Sequence, residues 1–220
     1  MPVLRRRCAL AALLALALGF AATGGAKAAP IRVLMRTDAG SILIELYPDA
    51  APITVANFLA YVDKGLLTGA AFYRTVGPAN DHNPATINVV QGGRDGSPGG
   101  LPPIAHETTQ ITGLRHTDGV VSMARDAPGS ATSEFFICLG ANPALDFGGA
   151  RNPDGQGFAA FGKVISGMRT VRKIHAAPTR TAAGDPYLVG QLIAAPVRIL
   201  GVERRQGSGG DGGIRTHDTL

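Results

Sequence analysis

"IRVLMRTDAGSILIELY", residues 31–47, decides the fold class. Ile31, Val33 and Met35 recur at every second position, "DAGS" at Asp38 to Ser41 supplies a turn, and Ile42, Ile44 and Leu46 resume the alternation. A two-residue apolar period on both sides of a turn is the pattern of a β-hairpin. The next segment changes period. Pro52 suits a first helical turn, Val55, Phe58, Leu59 and Val62 fall on one helical face, and Gly65 can end the helix, which places a helix from about Pro52 to Lys64.

Further along the chain, short β-like stretches dominate: "AFYRTV" (71–76), "INVVQGG" (87–93), "GVVSMAR" (119–125), "EFFICLG" (134–140), "GFAAFGKV" (157–164) and "PVRILGVE" (196–203). Met168, Val171 and Ile174 mark a second, short helix. Many short strands with two helices predict a mostly β barrel or sandwich. In "AFYRTV" the two-residue period puts Phe72, Arg74 and Val76 on one face, so a permanent cation stands among apolar neighbours. In "EFFICLG" it puts Glu134, Phe136 and Cys138 on one face and Phe135, Ile137 and Leu139 on the other.

Before the hairpin, Arg5, Arg6 and Arg7 precede an apolar run from Cys8 to Ala22, and "AKA" at 26–28 offers small residues at a cleavage site. The run is shorter than the roughly 20 residues of a membrane span. Residues 1–28 therefore read as a secretory signal peptide, 29–205 as one domain, and 206–220, glycine-rich and without apolar periodicity, as a disordered tail. The chain is expected to be exported, to the periplasm, and to be free of the membrane after cleavage. Removing Arg5, Arg6, Arg7 and Lys27 from the 21 basic residues leaves 17 against 16 acidic ones. So balanced a chain has no basic excess with which to bind nucleic acid. Cys138 is the only cysteine after residue 28, so the domain holds no internal disulfide and depends on its apolar core.

Several motifs carry less chemistry than their letters suggest. "HETT" at 106–109 opens like a zinc-protease helix, but Gln110 stands where the second histidine ligand belongs. The histidines at 82, 106, 116, 175 and 217 form no close ligand pair, and neither a metal nor a cofactor is expected. "QGGRDGSPGG" lacks the Lys-Ser or Lys-Thr of a phosphate loop, and "GSATS" lacks the G-x-S-x-G pattern of a hydrolytic serine.

Taken in order, "FYR", "VVQGGRDG", "HTDGVVSMAR", "SATSEFFICLG", "LDFGG" and "FGKVISGM" resemble the cyclophilins, peptidyl-prolyl cis-trans isomerases, and in particular exported bacterial members. The resemblance covers about Ile31 to Arg204. It implies a closed eight-stranded antiparallel β-barrel capped by two α-helices, with a site on the barrel's outer face. Arg74 matches the family's catalytic arginine and Gln91 its companion glutamine. Phe136 matches the floor of the proline pocket and Leu145 a wall. Tyr73 lies inside the F-x-R motif, Val89 takes a methionine position, Ala124 matches a backbone contact to the peptide, and Phe158 a position of His or Tyr. Three positions depart from the pattern: Asn88 stands for a pocket phenylalanine, Ala144 for tryptophan, and Glu134 for glutamine. On the strand pattern Glu134 is expected to pair with Arg74. "GPANDHNPAT" lengthens the loop between Arg74 and Gln91.

The resemblance thus implies isomerisation of Xaa-Pro bonds in unfolded or extended exported clients by a monomer. The alternative function is a catalytically weak, peptide-binding or chaperone module that kept the barrel.

Overall fold

The computed structural model describes residues 30–181 and 184–205; the signal-peptide and tail readings lie outside them. Eight strands close into one antiparallel barrel: β1 (Ile31–Thr37), β2 (Gly40–Leu46), β3 (Ala71–Val76), β4 (Val89–Gly93), β5 (Val120–Met123), β6 (Phe135–Cys138), β7 (Ala159–Ser166) and β8 (Leu192–Arg205). Their order around the barrel is β1-β2-β7-β5-β6-β4-β3-β8. The opening hairpin pairs Val33 with Ile44 and Met35 with Ile42, and all four side chains are fully buried. Closure leaves no free sheet edge, so a barrel this small can fill its interior with side chains alone.

Three α-helices accompany the barrel among the described residues, one more than the two expected: α1 (Pro52–Asp63), α2 (Thr109–Thr112) and α3 (Met168–His175). The extra one, α2, is a single turn between Thr108, whose hydroxyl accepts from the Ile111 N–H, and Gly113 in the left-handed conformation. Too short to show a helical period, it escapes pattern reading. α1 packs on β7 and β8, and α3 on β2, β3 and β4. Phe58 of α1 meets Phe135 and Phe161 at 5.8 and 5.2 Å between ring centroids, and Phe72 meets Phe135 at 5.6 Å. Edge-on and tilted rings at these separations are favourable beyond the area they bury.

The "HETT" stretch finds a structural use. α1 has no side-chain cap of its own at Ala51. The buried carboxylate of Glu107 instead accepts from the N–H groups of Ile53 and Thr54 and from the Thr54 hydroxyl, at 3.1, 2.8 and 2.6 Å. An anion at that end also complements the helix dipole.

Candidate functional site

β3 does not keep the two-residue period. Phe72 pairs with Gly92 and Arg74 with Gln91, leaving Tyr73 as the extra residue of a β-bulge. Phe72 therefore enters the barrel core, while Tyr73 and Arg74 both border surface cavities and Val76 joins a separate apolar cluster on the outer face. The expected shared face of Phe72 and Arg74 is thus corrected, because the inserted residue turns the strand between them. Gly92 makes the bulge sterically possible. A Cβ there would stand 2.9 Å from the Ala71 carbonyl oxygen and 2.9 Å from the Phe72 ring.

The outer cluster contains Val76, Ile87, Val89, Phe136, Cys138, Leu145 and Phe158. Together with Arg74, Gln91, Ala124, Arg125, Glu134, Arg151 and Tyr187, most of it lines an open cleft of about 350 Å³. Phe136 is among the lining residues, its ring edge-on to Phe158 at 5.5 Å and stacked on His116 at 5.8 Å. β6 alternates as its sequence pattern requires, with Phe135 and Ile137 in the barrel core and Phe136 and Cys138 in the outer cluster.

Under Phe136, His116 bridges Ser122 Oγ at 2.9 Å and Asp146 Oδ1 at 2.8 Å. The order serine, histidine, aspartate matches a hydrolytic triad, but Ser122 has no exposed surface and His116 only 1%. A nucleophile must reach its substrate, so this chain of bonds supports the Phe136 ring and leaves no route to acyl transfer. Burial raises the Asp146 carboxyl, but hydrogen bonds from His116 and the nearby Arg115 outweigh it and hold it below the usual carboxylate range.

Arg74 is half-buried, and burial pulls its guanidinium below its ordinary value, though arginine keeps its charge in proteins. Gln91 Oε1 accepts from Nη1 at 3.1 Å, and Gln191 Oε1 accepts from Nε and Nη2 at 2.9 and 2.6 Å. The expected Glu134–Arg74 pair does not form. Glu134 accepts from the N–H groups of Arg94 and Asp95, from Ser133 and from the Tyr73 hydroxyl. Tyr73 in turn accepts from Gln91 Nε2 at 2.8 Å. Two neutral groups thus separate the carboxylate from the guanidinium. Gly93 leaves room for this, since a Cβ there would meet the Glu134 carboxylate at 2.5 Å. Burial first, and then the Glu134 charge, raise the Tyr73 phenol well above its ordinary value and keep it protonated.

Eight candidates from the sequence line the cleft: Arg74, Val89, Gln91, Ala124, Glu134, Phe136, Leu145 and Phe158. Three do not. Tyr73 borders a second hollow on the other side of Arg74, with Leu188, Leu192 and Pro196. Asn88 is tied into the barrel rim, its N–H donating to Asn142 Oδ1 and its carbonyl accepting from Leu139, and Ile87 lines the cleft in its stead. Ala144 packs against the outer cluster through a 3-10 turn, Pro143–Leu145, and is too short to reach the cavity.

Sequence reading missed the rim. The loop at 77–86 brings Asp81, the loop after Leu145 brings Arg151, and the segment before β8 brings Tyr187 and Gln191. Arg151 donates to both Asp81 carboxylate oxygens at 2.9 and 2.7 Å and to the Tyr187 hydroxyl at 2.7 Å. Burial raises the Asp81 carboxyl, but the Arg151 bond and the Ile87 and Asn83 N–H groups more than offset it, leaving it below its ordinary value. Arg74 lies over the Tyr187 ring at 5.5 Å. Opposite, Arg125 sits 5.3 Å over Phe158 and makes a bidentate pair with Asp154, whose carboxyl that pairing lowers to about 2. Among the described residues no group of three or more His, Cys, Asp or Glu side chains could hold a metal.

Comparison with known proteins points to one family. Residues 32–203 match the family described as cyclophilin type peptidyl-prolyl cis-trans isomerase/CLD. The chain is similar to a peptidyl-prolyl cis-trans isomerase of Acinetobacter baylyi, 36% identical over 78% of this chain and 84% of the relative. It is also similar to peptidyl-prolyl cis-trans isomerase B of Escherichia coli, 35% identical over 67% and 85% of the two chains. A solved cyclophilin type isomerase of Cryptosporidium parvum superposes with a TM-score of 0.62 at 21% identity, covering 81% of this chain and 99% of that one. A second structure of that protein, in the presence of the dipeptide Ala-Pro, gives 0.61 at 22% identity over 80% and 99%.

Proposed function

The chain belongs to the cyclophilin-type peptidyl-prolyl cis-trans isomerases, and from that premise we propose that it works after export, as a monomer, on Xaa-Pro bonds of unfolded or extended client chains, with Arg74 as its catalytic group. An Xaa-Pro bond turns slowly because amide resonance sets a barrier near ~20 kcal/mol, although its isomers differ by only about 0.5 to 1 kcal/mol. Catalysis needs no nucleophile. It needs a seat for the proline ring and a donor that interacts more strongly with the twisted amide than with the planar one.

One observation carries the reading: the Arg74 fork and the Phe136 ring border the same cleft. Phe136, Val89, Leu145 and Phe158 offer an apolar seat for a pyrrolidine ring. Arg74 then faces the prolyl carbonyl and the nitrogen that regains its lone pair as the bond twists, and an always charged, planar donor suits both. The Ala-Pro dipeptide present with the Cryptosporidium parvum relative supports the ligand class. The aromatics absent at Asn88 and Ala144 favour the weaker, peptide-holding alternative, whereas Ile87 and Tyr187 offer substitute walls.

Exchange spectroscopy on an Xaa-Pro peptide tests the assignment. Arg74→Ala is expected to lower the catalysed rate by roughly 10²- to 10³-fold, the scale for losing one such donor. Equal exchange in both proteins would remove Arg74 from catalysis. The basic and apolar residues of 5–28 support export, and the mass of the protein recovered from the periplasm should lack those residues.

A further inference from the structure

Gln191 has no counterpart among the residues that point to the site from sequence, yet it makes two of the three side-chain hydrogen bonds that Arg74 donates to amide oxygens. It is fully buried and stitched to the strand that carries Arg74, for its carbonyl accepts from the Thr75 N–H at 2.9 Å. Its amide cannot turn over. Nε2 donates to the Asn80 carbonyl at 2.7 Å, which leaves Oε1 facing the guanidinium. Asn80 is fixed in its turn, donating from Nδ2 to the carbonyls of Gly190 and Thr75 and accepting from the Gly77 N–H.

Among the described residues no carboxylate lies within ion-pair distance of Arg74. The two carboxylates nearest in the network are engaged elsewhere, Asp81 with Arg151 and Glu134 with backbone N–H groups and Tyr73. A carboxylate would orient the guanidinium but would cancel most of its field where charge develops. An amide oxygen orients it with a dipole and leaves the unit charge in place. A carboxylate at 191 would also set an oxygen against the Asn80 carbonyl, where the amide donates.

We propose that Gln191 is a positioning residue for the isomerase reaction: it fixes the Arg74 fork through a neutral oxygen, so that the guanidinium is held in place without being neutralised. This rests on the reading of Arg74 as the catalytic group. The tests are Gln191→Glu, which keeps the shape and adds a charge, and Gln191→Met, which keeps the bulk and removes the acceptor. Each is made in the wild type and in Arg74→Ala, with folding followed by near-ultraviolet circular dichroism and turnover by exchange spectroscopy.

In the wild type, Gln191→Glu is expected to lower kcat about tenfold or more, with KM changed by less than about threefold. Gln191→Met should lower kcat about fivefold or more, and in Arg74→Ala neither change should reduce the residual rate further. Should Gln191→Glu unfold the protein, Gln191→Met decides. A folded Gln191→Glu or Gln191→Met protein with unaltered kcat overturns the inference. So does Gln191→Met slowing Arg74→Ala by the same factor as the wild type, since that marks a structural role alone. If Arg74→Ala itself turns over like the wild type, the catalytic reading of Arg74 fails and takes this inference with it. If Arg74→Ala is impaired and the Gln191 variants are not, only the role of Gln191 falls.

Discussion

Phe135 and Phe136 are neighbours on β6 that serve opposite sides of the barrel wall, one in the core and the other lining the cleft. Arg151 and Tyr187 lie 36 residues apart in loops and meet at the same cleft through a 2.7 Å hydrogen bond. The wall is set by a local rule, the alternation of a strand, so each position is tied to its neighbours. The rim is set by long-range polar bonds, each of which depends on a partner elsewhere in the chain. Strand residues should therefore govern stability when they face in and chemistry when they face out. Loop residues should govern grip and its dependence on pH.

The sharpest contrast lies within β6. Phe135→Ala removes a ring packed against Phe58 and Phe72 and is expected to destabilise the fold by about 3 to 5 kcal/mol. Phe136 is itself buried but borders the open cleft, so water can enter the space that Phe136→Ala leaves; its cost should be about half as large, while affinity for proline peptides is lost. Urea denaturation and peptide titration separate the two effects. Equal destabilisation by both substitutions would mean that Phe136 belongs to the core as fully as Phe135 does.

Arg151→Met tests the rim. It leaves the buried Asp81 carboxylate without its cation, which should cost about 3 kcal/mol at neutral pH. The pH dependence has a definite sign. In the wild type the Asp81 carboxyl is held below its ordinary value of about 4, so its contribution is complete above that pH and is lost as pH falls through the folded value. In Arg151→Met the carboxyl keeps the Ile87 and Asn83 N–H bonds but loses the cation that lowered it, so its folded value rises. The stability gap between the two proteins should therefore close below about pH 4. Thermal melting from pH 3 to 8 measures this, and a constant gap would show that the pair does not carry the rim.

The same contrast explains what could be read in advance. The opening hairpin and both longer helices announce themselves by period, because burial of one face repeats at fixed spacing, and the other strands read as short β-like runs. The outward set on β6 and the partnership of Arg74 with Gln91 follow from such spacing and from motif resemblance. The bulge at Tyr73 is different: a single inserted residue breaks the period, and its only trace is Gly92, small because the backbone approaches closely. Asn88 lies off the cleft for a related reason. The Asp81 loop holds the Ile87 N–H at 2.9 Å and turns Ile87, not Asn88, to the cleft. Tyr187 and Gln191 lie in "GDPYLVGQ", which has no period, and only the fold brings it to Arg74.

A smaller effect is expected at the rim's aromatic. Tyr187 is over one-third exposed, but its ring faces the Arg74 guanidinium and its hydroxyl receives Arg151. Tyr187→Ala should raise KM about fivefold and leave kcat within about twofold, which corresponds to roughly 1 kcal/mol of wall contact. A fall in kcat with KM unchanged would instead assign Tyr187 to the orientation of Arg74 and move a rim residue into the chemistry.

The smallest effect belongs to Glu134, despite its charge and its place in the cleft. Its four acceptor contacts run to the Arg94 and Asp95 N–H groups, Ser133 and Tyr73, and Arg74 is reached only through Tyr73 and Gln91. Glu134→Gln keeps an oxygen for the two backbone donors and turns an amide toward Tyr73, whose hydroxyl can accept. Gln91 Oε1 would still receive Arg74, so kcat should stay within about twofold and stability within about 1 kcal/mol. A direct ion pair between Glu134 and Arg74 would behave differently, since removing the negative charge would unmask the guanidinium and raise the rate. A clear rise in kcat for Glu134→Gln would therefore show that the carboxylate acts on Arg74 across the two neutral groups, and that the cation at the centre of the cleft is less isolated than its hydrogen bonds imply.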